Sequence, residues 1–158
     1  MSDEKPQQAK PANIFVLDDA APLDTLDYDT RHPVTEEPTG WIVTFAGPAH
    51  PQSLALADKS AKEGLRRAHE IQKARINGKK FKPEETTPDE ERRDFVEGLV
   101  ARIVTWGGNV PSYKGKVYSF NPKDAVELLL FPQMGNYVKQ FTDVLLEEKS
   151  FMPGSSKG

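Results

Sequence analysis

The pattern of apolar and polar residues near the start of the chain predicts β-structure. Two extended stretches lie between residues 25 and 45, and turn-forming residues separate them, namely Pro33, Pro38 and Gly40. The second stretch covers residues 41–45 and consists mainly of β-branched and aromatic residues. Two such stretches so close together along the chain are most simply interpreted as a β-hairpin.

The pattern becomes helical after Pro51, a residue that suits the first turn of a helix. Apolar residues then recur at three- and four-residue steps, and Asn77-Gly78 provides a stop signal. The recurring residues are Leu54, Ala57, Ala61, Leu65, Ala68 and Ile71. Because this stripe is thin and rich in alanine, we expect the helix to pack on one side only and to expose its basic face.

The clearest local signal is a helix start at Thr87-Pro88-Asp89-Glu90. Thr87 can cap the helix, Pro88 suits its first turn, and Glu90 can bond back to the amide of the cap residue. The residues that follow form a broad apolar face from Phe95 to Trp106, and Gly107-Gly108 is a natural end. We therefore predict that residues 95–106 lie in the central core helix.

Three further elements complete the prediction. Residues 113–118 contain two short extended pieces about a turn at Lys114-Gly115. Asn121-Pro122 starts a third helix that Pro132 breaks, and a last helix covers roughly residues 133–149. The predicted fold class is α+β: predominantly α-helical, with about four helices, an N-terminal β-hairpin and a short extended segment between the second and third helices.

Composition indicates one domain with unfolded ends. The chain has 158 residues, of which 37% are apolar and 28% charged, and it contains 13 prolines. This apolar fraction is low for a globular protein, so we expect a largely disordered acidic arm at residues 1–24, a single α+β domain at 25–151 and a flexible tail at 152–158. The polar start and the absence of cysteine and of long apolar runs predict a cytoplasmic protein with no membrane contact.

Charge is segregated along the chain. Residues 59–82 contain nine lysines and arginines against Glu63 and Glu70, whereas the first 40 residues are acidic. The basic stretch has three interpretations: a solvated helix face, a surface for an acidic protein or peptide, or a nucleic-acid-binding surface. Nucleic acid is the least favoured, because Phe81 is the only aromatic residue available there for base stacking, and the glutamates stand at helical spacing from cations.

Catalytic and metal-binding motifs are absent from the sequence. His32, His50 and His69 lie far apart in turns or polar stretches, and there is neither a phosphate-binding glycine loop nor a calcium-loop spacing of acids. We therefore predict that the protein is not an enzyme and needs no cofactor or metal. An exposed aromatic binding surface around Trp41 and Trp106 is a weaker interpretation than packing of these rings in the core.

The motifs follow one another in a definite order. The first half contains a turn, a strand and the opening of a basic helix, at residues 32–41 (HPVTEEPTGW), 42–45 (IVTF), 46–48 (AGP), His50-Pro51 and Arg66-Arg67. The second half contains a helix, a tryptophan-glycine turn, an extended segment and two closing helices, at residues 95–103, 105–108 (TWGG), 118–122 (YSFNP), Ala125, 128–130 and up to Phe151. Over about residues 27–151 this order resembles that of the small tail assembly chaperones of long-tailed bacteriophages and prophages. It departs from that family in the acidic start and at residues 108–116.

The resemblance implies a non-enzymatic helper in the cytoplasm of a bacterial host. Such a protein binds the long, helical tape measure protein, keeps it soluble, helps recruit tail tube subunits, and is absent from the mature virion. Self-association is a further contact open to it. The alternatives are a structural virion or head–tail joining protein, and a nucleic-acid-binding regulator that uses residues 59–82.

Binding of another polypeptide requires exposed apolar or charged surface. Two helices can supply it, the one after Pro51 and the closing helix. The candidate partner-binding residues are Leu54, Leu65, Arg66, Arg67, Lys73, Arg75, Tyr137 and Phe141.

Overall fold

A three-stranded antiparallel sheet forms one layer of the protein. The computed structural model describes residues 13–80 and 85–153, and its sheet consists of β1 (Thr25–Arg31), β2 (Pro38–Ala46) and β3 (Ile103–Gly108) in the order β1-β2-β3. Together with the four α-helices of the described residues, it confirms the α+β class.

One face of this sheet is buried and the other is polar. Tyr28 of β1 pairs with Val43 of β2, which pairs with Trp106 of β3, and all three side chains lie in the core. On the opposite face the Thr44 hydroxyl donates a hydrogen bond to Asp27 at 2.6 Å. Successive side chains of a strand point to opposite faces, so the helices need to cover only one side of the sheet.

The predicted core helix over residues 95–106 is wrong in its second half. Helix α2 covers Pro88–Val100, and the chain then turns and enters β3 at Ile103. The residues Ile-Val-Thr-Trp favour a strand, and pairing with β2 satisfies their backbone. Phe95, predicted to be in the core, is about half exposed. Gly107-Gly108 ends the strand, where a side chain on Gly108 would collide with the Gly40 carbonyl.

The other helices start where the local signals predict. Helix α1 covers Pro51–Ile76, α3 covers Pro122–Leu130, and α4 covers Gly135–Leu146, shorter than expected. The capping box of α2 is present, since the Glu90 amide donates to Thr87 Oγ1 at 3.2 Å and the Thr87 amide donates to Glu90 Oε2. The Asn121 side chain likewise caps α3.

The core lies between the buried face of the sheet and helices α2, α3 and α4. Its aromatic centre is Trp41, whose ring lies 5.2 Å from that of Trp106 and 5.6 Å from that of Phe141. The helices contribute the buried residues Val96, Leu99, Val100, Ala125, Leu128, Leu129, Phe141 and Val144. The prediction that the tryptophans pack inside is therefore confirmed.

A small hairpin connects the sheet to α3. Its strands are β4 (Ser112–Tyr113) and β5 (Lys116–Val117), and Lys114 and Gly115 both have positive φ in the turn, at the predicted place. Lys116 Nζ contacts Glu127 of α3 at 3.0 Å. The backbone carbonyl of Tyr118 accepts a hydrogen bond from the Trp106 indole at 2.9 Å. These contacts hold the connection against the core.

The predicted disordered arm at residues 1–24 lies partly outside the described residues. Of the described part, residues 17–19 form a short 3-10 turn, and two backbone hydrogen bonds fix the root of the arm. The Leu23 amide donates to the Phe151 carbonyl at 2.6 Å, and the Gly47 amide donates to the Asp24 carbonyl. Of the predicted tail at residues 152–158, residues 154–158 lie outside the description.

Candidate partner-binding site

Helix α1 leaves most of its surface unpacked against the rest of the described residues. It has 26 residues, and Ser53 is its only buried residue. At a rise of about 1.5 Å per residue the helix is about 39 Å long. Its first turn attaches it to the sheet, since Gln52 Nε2 donates to the carbonyls of Ala101 and Ile103 at 3.2 and 3.0 Å. The rest of α1 therefore presents most of its surface to solvent.

Five of the six residues of the predicted apolar stripe of α1 are exposed. We define the α1 stripe as Leu54, Ala57, Ala61, Leu65, Ala68 and Ile76, which all lie on one face of the helix because they are spaced by about whole turns. The exposed fractions of Leu54, Leu65 and Ile76 are 56%, 73% and 79%. Ile71, predicted to belong to this stripe, is instead half-buried on another side of the helix.

The basic residues of α1 are all exposed, as predicted. The helix contains six bases and three acids, a net charge of +3. Arg66 contacts Glu70 at 2.8 Å, an i,i+4 pair of the kind expected on a solvated face. Arg67, Lys73 and Arg75 take part in no ion pair within the described residues. Lys73 and Arg75 are therefore available to an acidic partner, whereas Arg67 lines the groove between α1 and α2.

A polar groove separates α1 from α2. Its volume is about 730 Å³, and Glu63 and Arg67 of α1 face Asp94 and Glu97 of α2 across it. Charged walls of both signs do not favour an apolar ligand. Because of this groove, α1 and α2 do not pack against each other along their length, and α1 stays exposed.

Of the two candidate residues in α4, only one reaches the surface. Phe141 is fully buried, with its ring 5.5 Å from that of Phe45, so its assignment to partner binding is wrong. Apolar residues at helical spacing occur both on helix faces that pack in a core and on faces that dock a partner. In α4 this apolar face packs against the sheet. Tyr137 is half-buried beside Trp41 and lines a shallow pocket of about 270 Å³.

A second apolar surface, missed by the sequence analysis, is a cleft between α2, β3 and the start of α3. We call it the α2–α3 cleft; it has a volume of about 550 Å³. Its apolar walls are Val100, Ile103, Val104, Phe120, Pro122 and Val126. Its rim carries Arg93, Glu97 and Lys123. No local signal could have found it, because three separate elements build it and their apolar wall residues have the pattern of core residues.

The described part of the arm exposes a third apolar surface. Residues 14–17 (IFVL) are all more than half exposed, and Phe15 reaches 75%. Asp18 and Asp19 follow directly in the short 3-10 turn. We call residues 14–19 the arm segment. Exposure of four consecutive large apolar side chains to water is unfavourable in free energy. Such a patch marks an interaction site more often than a surface that has no partner.

The three histidines form local hydrogen bonds or lie at the surface. His50 caps α1 through Nδ1, which accepts a hydrogen bond from the Gln52 amide, and His32 Nδ1 accepts hydrogen bonds in the turn between β1 and β2. His69 is exposed on α1. No group of three or more potential metal ligands occurs among residues 13–80 and 85–153.

The shifted pKa values also arise from packing. Burial raises the pKa of the Tyr28 phenol, whose hydroxyl donates a hydrogen bond to Gln140 at 3.0 Å. Burial lowers the pKa of Arg102, whose guanidinium donates to the Ala46 carbonyl at 2.8 Å. The hydrogen bond to Glu127 raises the pKa of Lys116. None of these groups lines the α1 stripe.

Comparisons of the chain with protein-family models, with curated proteins and with solved structures found no match. Among the helices of the described residues, none is both long enough and apolar enough to cross a membrane.

Proposed function

We propose that this protein is a bacteriophage tail assembly chaperone. It binds the tape measure protein in the host cytoplasm, keeps it soluble, helps recruit tail tube subunits, and leaves before the virion is complete. The observation that carries the proposal is helix α1, which exposes an apolar stripe and carries Lys73 and Arg75, two cations with no ion pair within the described residues. Nothing in this role requires a bond to be made or broken.

The α1 stripe suits a helical client. Two helices pack when side chains at three- and four-residue steps interdigitate. Leu54, Leu65 and Ile76 follow one another at intervals of about three turns. Small alanines between them let a second helix approach closely. Burial of one leucine contributes about 1.5–3 kcal/mol, part of which the ordering of the partners offsets. Two or three such contacts give the weak, repeated binding that suits a chaperone along a long client.

Charge adds selectivity to this contact. Lys73 and Arg75 carry positive charge on the same helix as the stripe. Cations at the rim of an apolar contact accelerate association with an acidic partner and oppose a basic one. Client binding should therefore weaken as salt rises, although the apolar part of the contact should persist.

Binding to the tape measure protein is the direct test. The double variant Leu54→Asp and Leu65→Asp places charges in the α1 stripe, and both positions are exposed, so the fold should survive. Val34→Asp is the matched control, because Val34 is 83% exposed in the turn between β1 and β2, outside the stripe. We expect the control to retain a co-expressed tape measure protein and the double variant to lose it. Equal retention by both would refute the role of α1.

The same helix gives the nucleic-acid alternative its only support, namely its unpaired cations. A DNA-binding regulator would bind duplex DNA with a steep salt dependence, and glutamine at Arg66, Arg67, Lys73 and Arg75 would abolish that binding. The chaperone proposal predicts weak DNA binding that is insensitive to these changes at physiological salt. A structural virion protein would instead be found in stoichiometric amounts in purified particles.

A further inference from the structure

Two apolar surfaces remain outside the proposed client contact: the arm segment and the α2–α3 cleft. One is a short convex peptide with four exposed apolar side chains, and the other is a concave site with mostly apolar walls. A cleft of about 550 Å³ falls within the size range of ordinary ligand sites and can hold a few apolar side chains. The two surfaces are complementary in shape and in polarity.

We propose that the arm segment of one copy docks in the α2–α3 cleft of a second copy, so that two chains exchange arms in a symmetric dimer. In a single chain the arm segment is exposed, and no arm residue lines the cleft. Because every copy carries both surfaces, one two-fold axis makes two equal contacts and closes the assembly. The proposal is independent of the chaperone role, since the cleft and the α1 stripe share no residue.

Phe15 is the expected anchor of the contact. It is the largest and most exposed of the four apolar residues, and the backbone at Val16 is extended, so the segment is narrow. Phe15 can therefore enter the cleft while Ile14 and Val16 lie against its edge. The walls nearest the rim, Val104 and Val126, are half-buried in the single chain and offer apolar surface to an aromatic ring.

Charge fixes the direction of the arm segment. Asp18 and Asp19 follow the apolar residues, and the cleft rim carries Arg93 and Lys123. Arg93 is partly compensated by Glu97 at 4.0 Å, whereas Lys123 has no ion pair within the described residues. An aspartate beside Lys123 would form an ion pair at the edge of the apolar contact, where such pairs set orientation more than affinity.

The root of the arm permits this exchange. The hydrogen bonds of Leu23 and Asp24 fix the chain at the edge of the sheet. Ile14 lies ten positions before Asp24, and an extended chain of that length spans at most about 35 Å. The arm segment can therefore leave its own domain and reach a neighbouring one.

Single cysteines provide the sharpest test, because the chain contains none of its own. Val16→Cys protein is mixed with Lys123→Cys protein under mild oxidation, and disulfide-linked heterodimers are quantified. Val16→Cys mixed with Lys139→Cys, an exposed position on α4, is the control. We expect cross-linking to Lys123→Cys well above the control. No cross-linking, or equal cross-linking to both positions, would overturn the proposal.

Sedimentation of the full chain tests the same contact without cross-links. We expect a dimer that dissociates on dilution, and Phe15→Asp should raise its Kd at least about tenfold because an apolar anchor is replaced by a charge. Val34→Asp should leave the Kd unchanged. A chain that stays monomeric at all concentrations would overturn the proposal, as would a double variant Val16→Cys and Lys123→Cys that closes its disulfide only within one chain. Phe15→Asp should also retain the tape measure protein, so failure of the dimer is distinguishable from failure of the chaperone role.

Discussion

Leucine-to-alanine substitutions at two positions separate folding from function in this structure. Leu65 lies in the α1 stripe and is 73% exposed, whereas Leu128 of α3 is 1% exposed in the core. Leu128→Ala removes buried methyl groups and leaves a cavity, which costs about 2–5 kcal/mol of unfolding free energy. Leu65→Ala removes side-chain atoms that are mostly in water already, and alanine favours helix, so we expect a cost below about 0.5 kcal/mol.

Urea unfolding measures both changes. The buried indoles of Trp41 and Trp106 provide the fluorescence signal. With a denaturant slope of about 2 kcal/mol/M, Leu128→Ala should lower the midpoint by about 1–2.5 M and Leu65→Ala by less than about 0.25 M. Binding should show the reverse order, since loss of one leucine from a helix contact weakens it about tenfold, as measured by calorimetry against a helical fragment of the tape measure protein.

The contradictory result is specific. A midpoint shift for Leu65→Ala as large as that for Leu128→Ala would mean that α1 packs on its stripe within one chain. The stripe would then be part of the core and not a docking surface, and α1 would not be the helix that binds the tape measure protein.

Three further predictions concern the fold itself. Phe95→Ala should cost less than about 1 kcal/mol while Ile103→Ala costs about 2–5 kcal/mol, and equally large losses in denaturant melts would mean that Phe95 is also packed in the core. Thr87→Ala should lower the unfolding free energy by about 1 kcal/mol through loss of the capping box, and an unchanged midpoint would show that the cap contributes nothing. Because burial raises the pKa of Tyr28, its contribution is present below the unfolded pKa of about 10 and is lost as pH rises above it. Tyr28→Phe should therefore reduce the loss of stability at alkaline pH, and an unchanged alkaline slope would contradict this.

Local signals predicted the helix starts because the physics that causes them is local. Pro51, Thr87 and Asn121 satisfy or replace amides within one turn of their own helix, so the same few residues carry both the signal and the structure. The exposure of α1 followed from its thin apolar stripe for the same reason, since too few large side chains were available to bury it.

Long-range pairing explains the failures. Strand β3 begins at Ile103, and its partner β2 is almost 60 residues earlier, so no window around Ile103 contains the strand that completes it. Phe141 shows a second limit of sequence-based prediction. The spacing of apolar residues in α4 identifies an apolar face, but it does not show whether the core or a partner covers that face. The α2–α3 cleft combines both limits, since its walls are contributed by separate elements.

Solubility of the tape measure protein tests the central claim most directly. The measurement is the fraction of that protein in the soluble part of a lysate after co-expression with the wild-type chain, with the Leu54→Asp and Leu65→Asp variant, and with no partner. The chaperone account predicts a high soluble fraction with the wild type and, with the variant, a fraction close to that seen without a partner. A soluble fraction that is the same in all three lysates would contradict the account.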